Sequence, residues 1–366
     1  MSLLSATLHM KTHEKNKGVV KLIRNQSGNG VYLGGKGKTG HAIAEAIHHE
    51  IEKKWFPSTK REDQVWTDIT YINHTVGYGG DTNATLNCTP TPFRQVILAD
   101  KNPFIVSYWR DGVMNETYPW LKLEAISEAS FFEAKHRWQN HECNPETAPN
   151  DTRLGLCSNY GRAFESNWNG NTFIRKRVQS QFDPIKGNVK IEKARAILTH
   201  HSKYNKPLFE VCDLFDLDDK LYHIDCGCDC AVACHNDRVT TTAEKKIVRV
   251  YDPPYNFAAV HTPKSMTDFL QMDDLHTSAM WHIAAERSKL GELVFVIERT
   301  PPSELKTEDG EWERIAQCFV QNSPKLLVPR YDDVWTFRCN TSVISQTKLE
   351  KKATLDILNL MEIFPD

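Results

Sequence analysis

Ile247-Val248-Arg249-Val250-Tyr251, the segment 266–290, and Leu293-Val294-Phe295-Val296-Ile297 together make the stretch whose reading decides the fold. The two short apolar runs are rich in β-branched residues and read as strands. Between them Phe269, Leu270, Met272, Ile283 and Leu290 give a helix its apolar face, and Gly291 supplies its stop. The pair Trp281-His282 keeps the period of that helix and reads as packing. Working outward, Ile43, Ala44, Ile47 and Ile51 recur at helical spacing between His41 and Trp55, and Pro57 closes the segment. Gly18–Ile23 and Gly30–Leu33 read as a hairpin about a turn at Asn25–Gly30, and Val96–Ala99 with Phe104–Trp109 as a second hairpin about Asp100–Pro103. Ala194–Thr199 and Leu208–Phe215 add strands, and 348–363 a last helix. Residues 138–172 are rich in Asn, Cys and Gly and read as a long loop or junction, dividing the chain into an N-terminal half, 1–137, and a C-terminal half, 173–366. Strands and helices interleave without a short repeat, so the class is α/β or α+β: mixed sheets with flanking helices, in two halves that could be pseudo-equivalent.

The chain has 366 residues, 40% hydrophobic, 25% charged and 10% aromatic, which excludes disordered, collagen-like and coiled-coil classes. No run approaches the roughly 18 apolar residues that a membrane-spanning helix needs. Basic and acidic residues number 45 and 47, a formal net charge of -2, so a polyanion has to be held by local basic elements at 9–21 and 36–38 and by Lys203 and Lys206. Seven Asn-x-Ser/Thr sequons, at Asn25, Asn73, Asn83, Asn87, Asn115, Asn150 and Asn340, suit a lysosomal or secreted glycoprotein. The first ten residues have neither the basic start nor the apolar stretch of a signal peptide, which suits the cytoplasm instead. Ten cysteines permit disulfides without requiring them.

Three constellations carry chemistry. The first is a set of His-x-Lys units: His201-Ser202-Lys203 after the run Ala194–Thr199, and His9-Met10-Lys11 and His13-Glu14-Lys15 before Gly18–Ile23. Two such units can bring one imidazole to attack phosphorus and a second to protonate the leaving oxygen, while lysines neutralise the equatorial oxygens, with no metal and no cofactor. The second is Gly34-Gly35-Lys36-Gly37-Lys38-Thr39-Gly40 running into a helix at His41, an anion nest in which Gly35, Lys36, Gly37, Lys38 and Thr39 would hold phosphate. This loop is similar to the Gly-Gly-x-Gly-Lys-Thr of deviant P-loop ATPases, and Val96–Asp100 would then be the metal-holding strand end. The third is the cluster Cys226, Cys228, Cys230, Cys234 and His235, which suits zinc, disulfides or buried thiols.

The stretch from His13 through Gly18-Val19-Val20-Lys21-Leu22-Ile23 to Gly30-Val31-Tyr32-Leu33, with His201-Ser202-Lys203-Tyr204, resembles the two active-site regions of the deoxyribonuclease II family. The strand with Cys212 and Asp213 resembles a later segment of that family. The resemblance implies a phospholipase D-like fold and acid-optimal, metal-independent DNA cleavage, with His201 and Lys203 in one half-site. The leading expectation is therefore a phosphodiesterase acting on nucleic acid, with His201 and Lys203 paired with His13 or His9 and Lys15 or Lys11. The alternatives are a P-loop-like nucleotide-binding protein and a non-enzymatic cysteine-rich binding protein.

Overall fold

The computed structural model describes residues 39–158, 186–213, 246–253, 274–298, 302–321 and 330–340, with Leu217 and a few positions between 164 and 183. The segments 18–33 and 348–363 lie outside the described residues, as do Phe269, Leu270 and Met272. In chain order the elements are α1 (Gly40–Trp55), β1 (Ile69–Asn73), α2 (Gly80–Asn87), β2 (Gln95–Asp100), α3 (Pro103–Ser107), α4 (Glu128–Gln139), α5 (Ala148–Ser158), α6 (Lys186–His201), β3 (Leu208–Val211), β4 (Lys246–Tyr251), α7 (Asp274–Lys289), β5 (Leu293–Ile297), β6 (Lys306–Thr307), β7 (Gly310–Gln321) and β8 (Arg330–Cys339).

One sheet joins all eight strands in the order β3-β2-β1-β4-β5-β8-β7-β6. Strands β1 to β5 are mutually parallel, and β8, β7 and β6 follow as antiparallel neighbours. Chain order moves outward from β1 through β2 to β3, then returns to β4 on the other side of β1, so the order reverses between β1 and β4. The α/β reading holds, with mixed sheet and flanking helices.

Alternation along the strands assigns the faces. Tyr71, Val96, Leu98, Val248, Val250, Leu293, Phe295 and Ile297 join Ile43, Ile47 and Ile51 of α1 in the main core. Val294 and Val296 meet Met280, Trp281 and Ala284 of α7 on the opposite face, and Ile72, Ile97, Ala99, Cys212 and Leu217 form a third cluster. Trp281 is indeed packing, edge-on to Trp312 with centroids 4.6 Å apart, while His282 is exposed. Gly291 ends α7 with φ +91°.

Three local readings are corrected. Phe104–Trp109 is not a returning strand: the Asn102 side chain accepts from the Phe104 amide at 2.9 Å, Pro103 starts α3, and a π turn, Tyr108–Val113, continues it. Ala194–Thr199 lies inside α6, where Ile191, Ala194, Leu198 and His201 are buried at helical spacing. Within 138–172, residues 148–158 are the helix α5, whose Ala148, Leu154 and Leu156 belong to the main core. Of the strand read over Leu208–Phe215, Leu208–Val211 form β3, Cys212 and Asp213 lie past its end, and Leu214 and Phe215 are outside the described residues.

Candidate functional site

The parallel strands end on one edge, and the reversal of strand order between β1 and β4 opens that edge where neighbouring connections leave in opposite directions. In open α/β sheets this is where ligands bind. Here β1 ends at Asn73, and the turn His74-Thr75-Val76-Gly77-Tyr78-Gly79 leads into α2. Gly77 and Gly79 have φ of +48° and +67°, which a side chain would strain. A Cβ on Gly79 would stand 2.5 Å from Trp109 Cζ2, and Trp109 Nε1 donates to the Gly77 carbonyl at 2.9 Å, so the turn is seated on that indole.

Three acids border this turn. Asp100 ends β2; its Oδ2 accepts from the Gly77 amide and its Oδ1 from the Asn102 amide, both at 2.9 Å. Burial pushes its carboxyl up to about 6, against the pull of those two amides. Asp81, in the first turn of α2, accepts from Asn73 Nδ2 at 3.1 Å, and the same amide group donates to Thr82 Oγ1 at 2.8 Å. Asp252 directly follows β4, its amide donating to Thr75 Oγ1 at 2.7 Å, with buried Pro253 next in the chain. The backbone beneath is fixed by His74 N–H to Val250 O at 3.0 Å and Val76 N–H to Ala99 O at 2.8 Å. The His74 ring stacks on Tyr251 with centroids 4.2 Å apart and accepts at Nε2 from Arg249 at 3.2 Å, while Arg249 is paired with buried Glu292.

His201 stands elsewhere. It is fully buried at the end of α6, where its Nδ1 accepts from the Phe93 amide at 3.0 Å and its Nε2 donates to the Leu86 carbonyl at 2.9 Å. Burial drives its pKa down to about 4. With both ring nitrogens engaged by backbone, the His201 imidazole is placed neither to attack phosphorus nor to protonate a leaving oxygen. Lys203 is exposed, its ammonium over the Tyr204 ring at 5.5 Å. His9, Lys11, His13 and Lys15 lie outside the described residues, as do Gly35, Lys36, Gly37 and Lys38 of the glycine loop. Thr39 of that loop is buried, its hydroxyl donating to Asp332 Oδ2 at 3.0 Å. Cys226, Cys228, Cys230, Cys234 and His235 also lie outside. Among the described residues no disulfide joins Cys88, Cys143, Cys212, Cys318 or Cys339.

Of the sequon asparagines, Asn73, Asn83 and Asn150 are buried. A concavity of about 540 Å³ opens between Trp120, Phe182 and Arg195, away from this edge, but Glu116, Glu124 and Glu192 stand beside Lys122 there, so it makes no basic track for phosphates. Among the described residues no helix is long and apolar enough to cross a membrane. No protein-family model matches the chain, and no curated protein matches it.

The sequence reading reached Asp100 as a strand-end acid, met Asn73 only as a sequon, and passed over Gly77, Gly79, Asp81 and Asp252. The available signals were Gly77-Tyr78-Gly79-Gly80 just before a helix, and Asp252-Pro253-Pro254-Tyr255 directly after an apolar strand.

Proposed function

We propose that the chain is an S-adenosylmethionine-dependent methyltransferase acting on an exocyclic amine of a nucleobase. The observation that carries this reading is the gathering of Asp81, Asp100 and Asp252 about the His74–Gly79 turn at the β1/β4 switch point. The parallel order β3-β2-β1-β4-β5 suits a nucleoside-containing ligand, and an antiparallel pair appended beside β5 is the arrangement general to Rossmann-like methyltransferases, a fold-level analogy.

Charge separates this cofactor from a dinucleotide. In a Gly-x-Gly-x-x-Gly fingerprint starting at Gly77, the third glycine falls on Thr82, which is tied to Asn73. A pyrophosphate needs the positive end of α2, where Asp81 would repel it. A sulfonium nucleoside has no phosphate and carries positive charge, and three carboxylates suit it. The donor set therefore fits: Asp100, with lone pairs left beyond its two amide partners, would hold ribose hydroxyls, and the side-chain-free turn lets backbone approach the ligand. Bound S-adenosylmethionine supplies an electrophilic methyl group on sulfur.

On the acceptor side, an exocyclic amine is a poor nucleophile because its lone pair is delocalised into the ring. Asp252 and the Pro253 carbonyl would accept its two N–H groups, which would pull electron density back to nitrogen and fix its direction, and Asp252 would take the proton that the nitrogen sheds as its new bond to the methyl carbon forms. The sequence continues as Pro254-Tyr255-Asn256, beyond the described residues. Nucleic acid thus enters as the group that is modified, not cleaved.

Isothermal titration with S-adenosylmethionine, followed by transfer of labelled methyl to DNA and RNA, tests the reading. Binding by the parent and loss of transfer in Asp252→Ala are expected. A parent that does not bind S-adenosylmethionine overturns the proposal.

A further inference from the structure

At the far end of α2 from the glycine turn, three side chains of metal-ligand type come together that the edge site does not use. His41 and Glu45 stand one turn apart on α1 and so share a face. Cys88 caps α2, and its Sγ lies 3.8 Å from His41 Nδ1. One ligand atom from each of His41, Glu45 and Cys88 lies within 4.8 Å of the other two, and all three residues are half-buried.

We propose that His41, Glu45 and Cys88 form a site for a borderline-soft divalent cation, zinc first, that clamps α1 to the end of α2. Bond lengths of about 2.0–2.3 Å place tetrahedral zinc ligands roughly 3.3–3.8 Å apart, so small side-chain rotations close the set. Imidazole, thiolate and carboxylate together match zinc or cobalt; magnesium and calcium call for oxygen throughout. Three protein ligands leave one position for water. Arg61 reaches Glu45 Oε2 at 3.6 Å and Glu52 Oε1 at 3.3 Å, and so orients the carboxylate from outside while weakening cation affinity through its charge. The eight residues of α2, roughly 12 Å of helix, separate this cluster from Gly79, which makes the cation a structural clamp and not part of the transfer chemistry.

The test uses the full chain with Cys226, Cys228, Cys230 and Cys234 replaced by serine, so that the cysteine-rich segment cannot bind the probe. Titration with Co²⁺ is expected to show one equivalent with a thiolate-to-metal band in the near ultraviolet. Cys88→Ser abolishes that band, and Glu45→Gln weakens binding at least about tenfold. Zn²⁺ displaces the cobalt and raises the melting temperature of this protein but not of Cys88→Ser. Absence of a one-equivalent thiolate complex, or a band that survives Cys88→Ser, overturns the proposal. If Cys88→Ser does not fold, unchanged Co²⁺ affinity in Glu45→Gln and His41→Gln overturns it equally.

Discussion

A buried titratable group stands by each end of strand β2, His201 of α6 near its start and Asp100 at its close, and the two are solvated by the protein in opposite ways. At its entrance His201 meets the amide of Phe93 and the carbonyl of Leu86, one partner for each ring nitrogen. At its exit Asp100 meets two amides, of Gly77 and Asn102, but a carboxylate has about four acceptor positions and retains capacity toward a ligand. The first arrangement is closed and the second is open, and the proposed site rests on that difference more than on residue type. A histidine is the commoner catalytic residue, yet the proposed function rests on the aspartates at the carboxyl edge.

The sharpest way to break this contrast is to truncate one side chain on each side of it. Asp252→Ala should lower methyl transfer by roughly 10²–10³ with the fold retained, the scale seen when one group aimed at a reacting atom is removed. His201→Ala should leave turnover per folded molecule unchanged and instead destabilise the protein by about 2–4 kcal/mol, since it strands a buried donor and a buried acceptor and opens a cavity. Single-turnover methylation and urea denaturation on both variants decide the matter. A His201→Ala protein that is stable but inactive would restore the imidazole to a catalytic role.

Acid separates the two ends by sign. The folded His201 pKa of about 4 lies below its ordinary 6.5, so its contribution is fully present above pH 6.5 and is lost as pH falls toward 4, about 3 kcal/mol in all. His48 adds to that loss: its Nε2 is bonded to the Thr85 carbonyl at 2.9 Å, and burial takes its pKa down to about 3. Asp100 runs the other way. Its folded value of about 6 lies above 3.8, so its cost is full above pH 6 and is relieved as pH falls toward 3.8. Glutamine at position 201 can offer one acceptor to Phe93 and one donor to Leu86 without titrating. Urea midpoints of His201→Gln between pH 7 and 4 should therefore fall less steeply than those of the parent, and an unchanged slope would remove His201 from the account.

The legible and illegible parts of the fold divide along the same physical lines. Strands β4 and β5 and helix α1 were readable because apolar residues fill them at one clear period. Strand β1 was not, since Thr70 and Asn73 interrupt its apolar pattern, and Asn73 is there to brace the glycine turn. The run Ala194–Thr199 is too short to show a period; only the longer spacing Ile191, Ala194, Leu198, His201 reveals the helix. Asn102-Pro103 looked like a turn because the same residue pair that makes turns also caps and starts helices. At the site, Asp100 stood out as an acid closing an apolar run. Asp252 did not, because its meaning depends on β4 lying beside β1, a pairing of residues about 180 apart in the chain that no local pattern encodes.

The smallest expected effect probes Asp100 alone. As a carboxylate it can accept from both ribose hydroxyls while keeping its two amide partners; Asparagine has one oxygen and must turn an N–H₂ group toward one of those amides. Asp100→Asn should weaken S-adenosylmethionine binding about tenfold, the equivalent of roughly 1.4 kcal/mol, with little change in the rate of transfer at saturating cofactor. The pH dependence isolates the cause. In the parent, protonation below about pH 6 removes an acceptor, so affinity should fall as pH drops from 7 to 5, whereas in Asp100→Asn it should stay level. Parallel profiles in the two proteins would assign the pH effect to another group on the edge and leave Asp100 a structural brace for the Gly77 turn, which would make both ends of β2 alike.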